Sequence, residues 1–175
     1  VWHKDSELPS GIDVVGIPGG FSFGDYLRCG AIAANSPICR GVVEHANRGG
    51  YVLGICNGFQ VILKAGLLLR RGIDTADAQP FEDSVTLTWN NSGRYTDRWV
   101  RLKVTSSNSV FLKDMDEFEV PIAHAEGRIA VANNETLSSL RAAGQLALCY
   151  WNDKATELAA VSGDPTNIGT LDEPD

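Results

Sequence analysis

The sequence predicts an α/β fold: a doubly wound, mostly parallel sheet with an antiparallel extension, flavodoxin-like at its core. Two observations point to the parallel part. Apolar strand-type runs at residues 12–17 and 51–55 alternate with amphipathic helical segments, the rhythm of strand–helix units whose helices cover a parallel sheet. Each run stops at a glycine-bearing turn, where open α/β sheets place their ligand sites. A third observation predicts the extension. Beyond residue 84 apolar residues recur at every second position, the pattern of antiparallel strands with one face in water.

The elements follow in order. Residues 12–17 read as a buried strand, stopped by Pro18, Gly19 and Gly20. Residues 37–48 read as a helix. Ile38, Val42, Val43 and Ala46 fall at helical spacing, Ser36 stands where a cap belongs, and Gly49 and Gly50 end it. Residues 51–55 form the next strand and 57–67 the next helix. Residues 70–83 are charged and aperiodic, so they read as a loop. Val85, Leu87 and Trp89 alternate with Thr86 and Thr88, and Val100, Leu102 and Val104 alternate with Trp99, Arg101 and Lys103. Residues 118–123 are a further strand. Asn134 is placed to cap a short helix carrying Leu137 and Leu140 and closed by Gly144, and 146–151 form an apolar strand. The polar tail 162–175 contributes little core.

A chain of 175 residues suits one domain, and no internal repeat is present. Fewer flanking strands precede and follow than a doubly wound sheet uses, so the sequence is expected to be a fragment of that domain. The net charge of −7 argues against a nucleic-acid or anionic-membrane surface. No apolar run reaches the roughly 18 residues of a membrane span. Cys29, Cys39, Cys56 and Cys149 show no C-x-x-C spacing, and His3, His45 and His124 are scattered, so no metal site is expected. Sparse, unpaired cysteines suit a reducing cytoplasm.

The chemistry concentrates at Gly54-Ile-Cys56-Asn-Gly58, set between strand and helix. This is a G-x-nucleophile-x-G elbow with cysteine as nucleophile. The glycines relieve backbone crowding in a sharp turn. The helix N-terminus beneath favours thiolate, the reactive form of the side chain. A buried core cysteine is the competing reading, and cysteine hydrolases of other α/β families share the pattern.

Pro18-Gly-Gly-Phe-Ser-Phe-Gly24 is a glycine-rich turn at a strand end. It is not a phosphate loop, since Asp25 stands where lysine would be needed. An oxyanion hole suits it better. A Gly-Gly peptide can aim one N–H at a developing negative oxygen, and Asn57 supplies the second. Asp25 and Arg28 have the spacing of a local salt bridge. Gln60 lies one helical turn beyond Cys56 and can point to the same pocket. A cysteine nucleophile needs a histidine base oriented by a carboxylate. His124, with Glu126 two residues on, has that spacing, whereas His45 is expected on an exposed helix face and His3 lies near the start.

Three segments together carry a resemblance: Pro18-Gly-Gly-Phe-Ser-Phe-Gly-Asp-Tyr-Leu-Arg-Cys-Gly-Ala31, Gly54-Ile-Cys-Asn-Gly-Phe-Gln60 and Pro121-Ile-Ala-His-Ala-Glu-Gly127. Residues 91–100 add to it. The chain resembles the glutaminase subunits of phosphoribosylformylglycinamidine synthase, a class I (triad) glutamine amidotransferase family, from its first residues to about Tyr150. The resemblance implies that Cys56 attacks the glutamine side-chain amide and releases ammonia through a thioester. The ammonia would pass to a PurL-like synthetase subunit, accompanied by a small PurS-like subunit, that makes formylglycinamidine ribonucleotide in purine synthesis. ATP and magnesium would belong to that synthetase, with no cofactor in this chain. Gly20 and Asn57 match oxyanion-hole positions. Gln60 matches a residue contacting substrate, and the His124 loop resembles one lining the glutamine site. The family's base and acid lie in a His-Pro-Glu segment, which this sequence lacks. The base role of His124 therefore gives way to substrate binding, the true base is expected past Asp175, and the fragment itself is expected to be inactive. The alternatives left open are a free-standing cysteine hydrolase and an inactive binding module.

Overall fold

Proline at the first helical position costs no hydrogen bond, because that N–H has no intrahelical acceptor. Pro37 opens α2 (Pro37–Asn47) in this way. At its other end the N–H groups of Gly49 and Gly50 return to the carbonyls of Ala46 and His45 at 2.9 and 3.0 Å. This paired closure needs a left-handed residue, and Gly49 supplies it with φ 89°. The same closure, with Gly66 and Gly144 left-handed, ends α3 (Asn57–Lys64) and α4 (Asn134–Ala142).

The computed structural model describes residues 1–24, 29–68, 70–71, 79–80, 85–106, 108–151 and 167–168, with backbone alone at 70, 71, 79, 80, 167 and 168. Its contacts fall into two compact units. The first holds the described residues up to Arg70 with Gln79 and Pro80, and the second holds Arg71 and those from Val85 onward.

In the first unit β1 (Val14–Ile17) and β2 (Tyr51–Gly54) pair in parallel, Val14 opposite Tyr51 and Ile17 opposite Gly54. Helices α2 and α3 pack on this pair, and a one-turn helix, α1 (Ala31–Ala34), packs on α3. The core is Cys29, Cys39, Val42, Val61, Ile62 and Leu63. The strand read as buried is so on alternate residues only. Val15, Ile17 and Val52 are half-covered, but Val14 and Tyr51 are 49% and 47% exposed. One side of the pair carries the helices while the other faces water.

In the region read as a loop, β3 (Arg70–Arg71) and β4 (Gln79–Pro80) pair with each other. The other residues of 72–83 lie outside the description.

The second unit is antiparallel. A three-stranded sheet places β8 (Arg128–Val131) between β5 (Val85–Thr88) and β10 (Asn167–Ile168). A second places β6 (Thr96–Val104) between β7 (Glu117–His124) and β9 (Leu148–Trp151). A 3-10 turn spans Val110–Leu112. Leu87, Val131, Leu137 and Leu140 form the core, with α4 against β8.

Three local expectations are corrected. The sheet is not mostly parallel among the described residues. β1–β2, joined by a helical crossover, pairs in parallel, whereas both three-stranded sheets are antiparallel. Asn133 rather than Asn134 caps α4, its Oδ1 accepting from the Thr136 N–H at 2.9 Å. Ser36 occupies the cap position of α2 but caps no N–H. Its hydroxyl bonds the Cys39 thiol instead.

Candidate active site

A strand that turns at once into a helix must reverse direction within a residue or two, and the backbone there leaves the ordinary regions. Cys56 is that residue. It caps α3 with φ 56° and ψ −123°, a conformation rare outside glycine. The thiol is exposed, as an elbow requires and a core cysteine does not. The flanking glycines are needed for close approach. A methyl group on Gly54 would lie 2.7 Å from the Gly58 carbonyl oxygen, and one on Gly58 would collide with the carbonyl oxygen of Ile17. The Ile55 N–H donates to that same oxygen at 3.0 Å, which extends the β1–β2 ladder into the turn.

The twin-glycine corner after β1 lies against the elbow. A methyl group on Gly19 would sit 2.8 Å from Cys56 Cβ, 3.1 Å from its Sγ and 3.5 Å from the Asn57 nitrogen. Gly20 follows with φ 130°, where glycine alone is at ease. Phe21 to Gly24 then close a turn through the Gly24 N–H and the Phe21 carbonyl at 2.8 Å.

Asn57 and Gln60 are both buried, and Asn57 Nδ2 donates to Gln60 Oε1 at 2.9 Å. A mid-helix glutamine is ordinarily solvated; here its carbonyl holds the side chain of the residue after the nucleophile. Gly30 makes room for this turn of α3, since a methyl there would lie 2.7 Å from the Gln60 carbonyl carbon. Four of the site residues read from sequence, Gly20, Cys56, Asn57 and Gln60, thus lie in one unit, in the turns that follow its two paired strands and in the first turn of α3.

His124, at the end of β7, belongs to the second unit. Its Nδ1 lies 2.9 Å from Asn90 Oδ1. That oxygen also accepts from the Gly127 N–H at 3.2 Å. Asn90 Nδ2 donates to the carbonyls of Arg94 and His124, both at 2.9 Å. Asn90 is buried and ties the 90–94 turn to the 124–127 loop. Sequence reading missed it. The only signal was a turn-type Asn-Asn-Ser-Gly cluster after a strand.

His45 is 6% exposed, against expectation. It stands seven residues past Ile38 and three past Val42, on the same face of α2, so periodicity outweighed its polarity. A cavity of about 630 Å³ opens at the opposite end of the strand pair, lined by Glu7, Asp13, Glu44, His45, Arg48 and Tyr51 among others. None of the elbow residues lines it. Burial pushes the Cys39 thiol up, with the Ser36 hydrogen bond pulling back; burial also raises Cys149, with Lys103 opposing. Asp25 and Arg28 lie outside the described residues.

Comparison with known proteins shows the family of the chain. The pattern of the CobB/CobQ-like glutamine amidotransferase domain fits residues 4–168. The chain is 46% identical to the phosphoribosylformylglycinamidine synthase subunit PurQ of Roseobacter denitrificans, over 93% of this chain and 68% of that protein. It is 50% identical to the PurQ subunit of Ruegeria pomeroyi, over 86% and 62%. Helicobacter hepaticus PurQ is 39% identical over all of this chain and 75% of its own length. Among solved structures, the PurLQS assembly of Thermotoga maritima contains a similar chain with TM-score 0.60 and 30% identity, over 85% of this chain and 60% of that one. The chain thus spans about two thirds of the curated relatives named here.

Proposed function

The chain belongs to the CobB/CobQ-like glutamine amidotransferase family, among the PurQ subunits, and on that premise we propose that it hydrolyses glutamine and hands the ammonia to a synthetase. The observation that carries this reading is the exposed Cys56 thiol at a strained elbow, with the Gly19–Gly20 turn against its sulfur.

In the proposed reaction Cys56 Sγ attacks the side-chain carbonyl carbon of glutamine. The C=O electron pair moves onto oxygen, where the N–H groups of Gly20 and Asn57 hold the charge. Such donors, aimed at charge that develops only in the transition state, are worth about 10²–10³ in kcat each. The intermediate collapses with loss of ammonia and leaves a thioester, which water cleaves to glutamate. Gln60 orients the Asn57 side chain, and a contact from Gln60 to the substrate glutamine is part of the same proposal. A substrate-binding role for His124 rests on the resemblance of its loop alone. A triad base is part of the same proposal, and the His-Pro-Glu segment that would supply it is not in this sequence.

The acceptor is a synthetase that makes formylglycinamidine ribonucleotide, with ATP and magnesium bound there. The likeness to a chain of the Thermotoga maritima PurLQS assembly supports PurL-like and PurS-like partners. The doubly wound sheet, with β1 and β2 as neighbouring strands, and a cytoplasmic location belong to the same proposal.

The test uses the full-length protein with its synthetase. A glutamine-analogue electrophile should label Cys56 covalently, and Cys56→Ala should abolish glutamine-dependent ammonia release while free ammonia still supports the synthetase. Labelling at another cysteine, or unchanged hydrolysis in the variant, would remove the reading.

A further inference from the structure

We propose that His3 is a positioning residue whose ring, packed edge-to-face on Phe23, braces the glycine-rich turn 18–24 against Cys56 and so keeps the Gly20 N–H in place for the developing oxyanion. This role rests on the glutaminase reading, in which that N–H is one of the two donors. All the residues involved lie in the first unit.

A turn of this sequence does not hold its own shape. Gly20 and Gly24 have φ 130° and 70°, and glycine moves readily between such conformations and others. Between them Phe21 sits at φ 48°, a left-handed conformation that a side chain with a Cβ resists. Strained backbone of this kind persists only where its surroundings over-determine it. The bond from the Gly24 N–H to the Phe21 carbonyl, at 2.8 Å, closes the turn locally but does not fix where the turn lies. Contacts at its two ends do. At one end Gly19 is pressed on the elbow, where an added methyl group would lie 3.1 Å from Cys56 Sγ. At the other the Phe23 ring meets the His3 ring with centroids 5.2 Å apart and planes at 81°, the edge-to-face geometry that ring quadrupoles favour.

His3 is itself held from behind. Trp2 packs on its ring at 4.8 Å and 68°, and Lys4 Nζ lies 4.9 Å from the centroid of the Trp2 ring. The Trp2 N–H donates to Asp5 Oδ2 at 2.7 Å, and the Asp5 N–H returns to the Trp2 carbonyl at 2.9 Å, which closes the segment into a turn. The His3 carbonyl accepts from the Ile38 N–H at 3.5 Å, one of the first-turn donors for which α2 has no intrahelical acceptor. Trp2 is 58% exposed, and His3 and Phe23 are only partly covered, so this row of rings supplies little core. It forms a strut from the start of α2 to the turn.

The test uses the full-length protein with its synthetase. Rates are taken per Cys56 labelled by the glutamine-analogue electrophile, which discounts unfolded chains. His3→Leu should lower kcat for glutamine hydrolysis about tenfold, the most that one ring pair of this kind contributes. KM should be nearly held, because the donor acts only in the transition state. Phe23→Leu should give the same fall, and the double variant should be no slower than either single one. His3→Phe, which retains a ring, should recover most of the rate. Alkylation of Cys56 by iodoacetamide, a displacement that builds no oxyanion, should stay within about twofold of wild type in all four variants. A merely structural defect would slow both reactions together. Unchanged kcat in the leucine variants, multiplying effects in the double variant, no recovery in His3→Phe, or a parallel fall in alkylation each overturns the role of His3 and leaves the Cys56 chemistry standing. Loss of the glutaminase reading itself would show separately, as ammonia release that survives Cys56→Ala.

Discussion

One methyl group measures how closely the site is assembled. Gly19 has no unusual φ, so alanine fits its backbone; what alanine lacks is space, with Cys56 Sγ 3.1 Å from the added carbon. Gly19→Ala should therefore lower the glutamine hydrolysis rate about a hundredfold, the effect of misplacing a reacting atom by about an ångström. Its urea midpoint should stay near wild type. Unchanged hydrolysis would separate the turn from the sulfur. The elbow was legible in the sequence because its glycines and nucleophile are contiguous. The Asn90–His124 bond was not, since one side-chain contact between distant segments leaves no periodic trace. His45 was misread for another reason: its residue type was weighed above its place on the helical face.

Helix ends carry the next scale. Asn133 satisfies an otherwise unpaired N–H of α4, and Ser36 satisfies none in α2. Asn133→Ala should cost about 1 kcal/mol of stability, and Ser36→Ala clearly less. Urea denaturation of the two variants checks the order; equal costs would mean that the Asn133 bond contributes nothing. The C-terminal ends of α2 and α4 were readable because a left-handed residue after a helix favours glycine so strongly. The cap of α4 was misplaced by one position because Asn133 and Asn134 are adjacent, and both residues suit the role. β8 escaped notice because Arg-Ile-Ala-Val is too short to display a period.

For the molecule as a whole, burial raises one thiol in each unit, Cys39 in the first and Cys149 in the second. A thiol harder to ionise in the folded chain than in the unfolded one stabilises the fold while protonated. That contribution is complete below the ordinary thiol value of 9.0. It falls away as pH climbs from there, because the unfolded chain then releases its protons first. Stability measured by urea should therefore decline above pH 9, and less steeply in Cys39→Ala, compared by slope rather than by absolute value. At this scale the sequence disclosed an α/β fold and its antiparallel extension, because both periods are strong. Among the described residues it overstated the parallel part, since strand order depends on long-range pairing that periodicity does not encode.

The backbone at Cys56, with φ 56° and ψ −123°, sets foldability against reactivity at a single codon. Glycine lies one base change away and would relax the bend, yielding a sturdier chain with no sulfur. Lineages drifting toward easy folding would lose the chemistry first, and those that keep it must accept permanent local discomfort in the main chain.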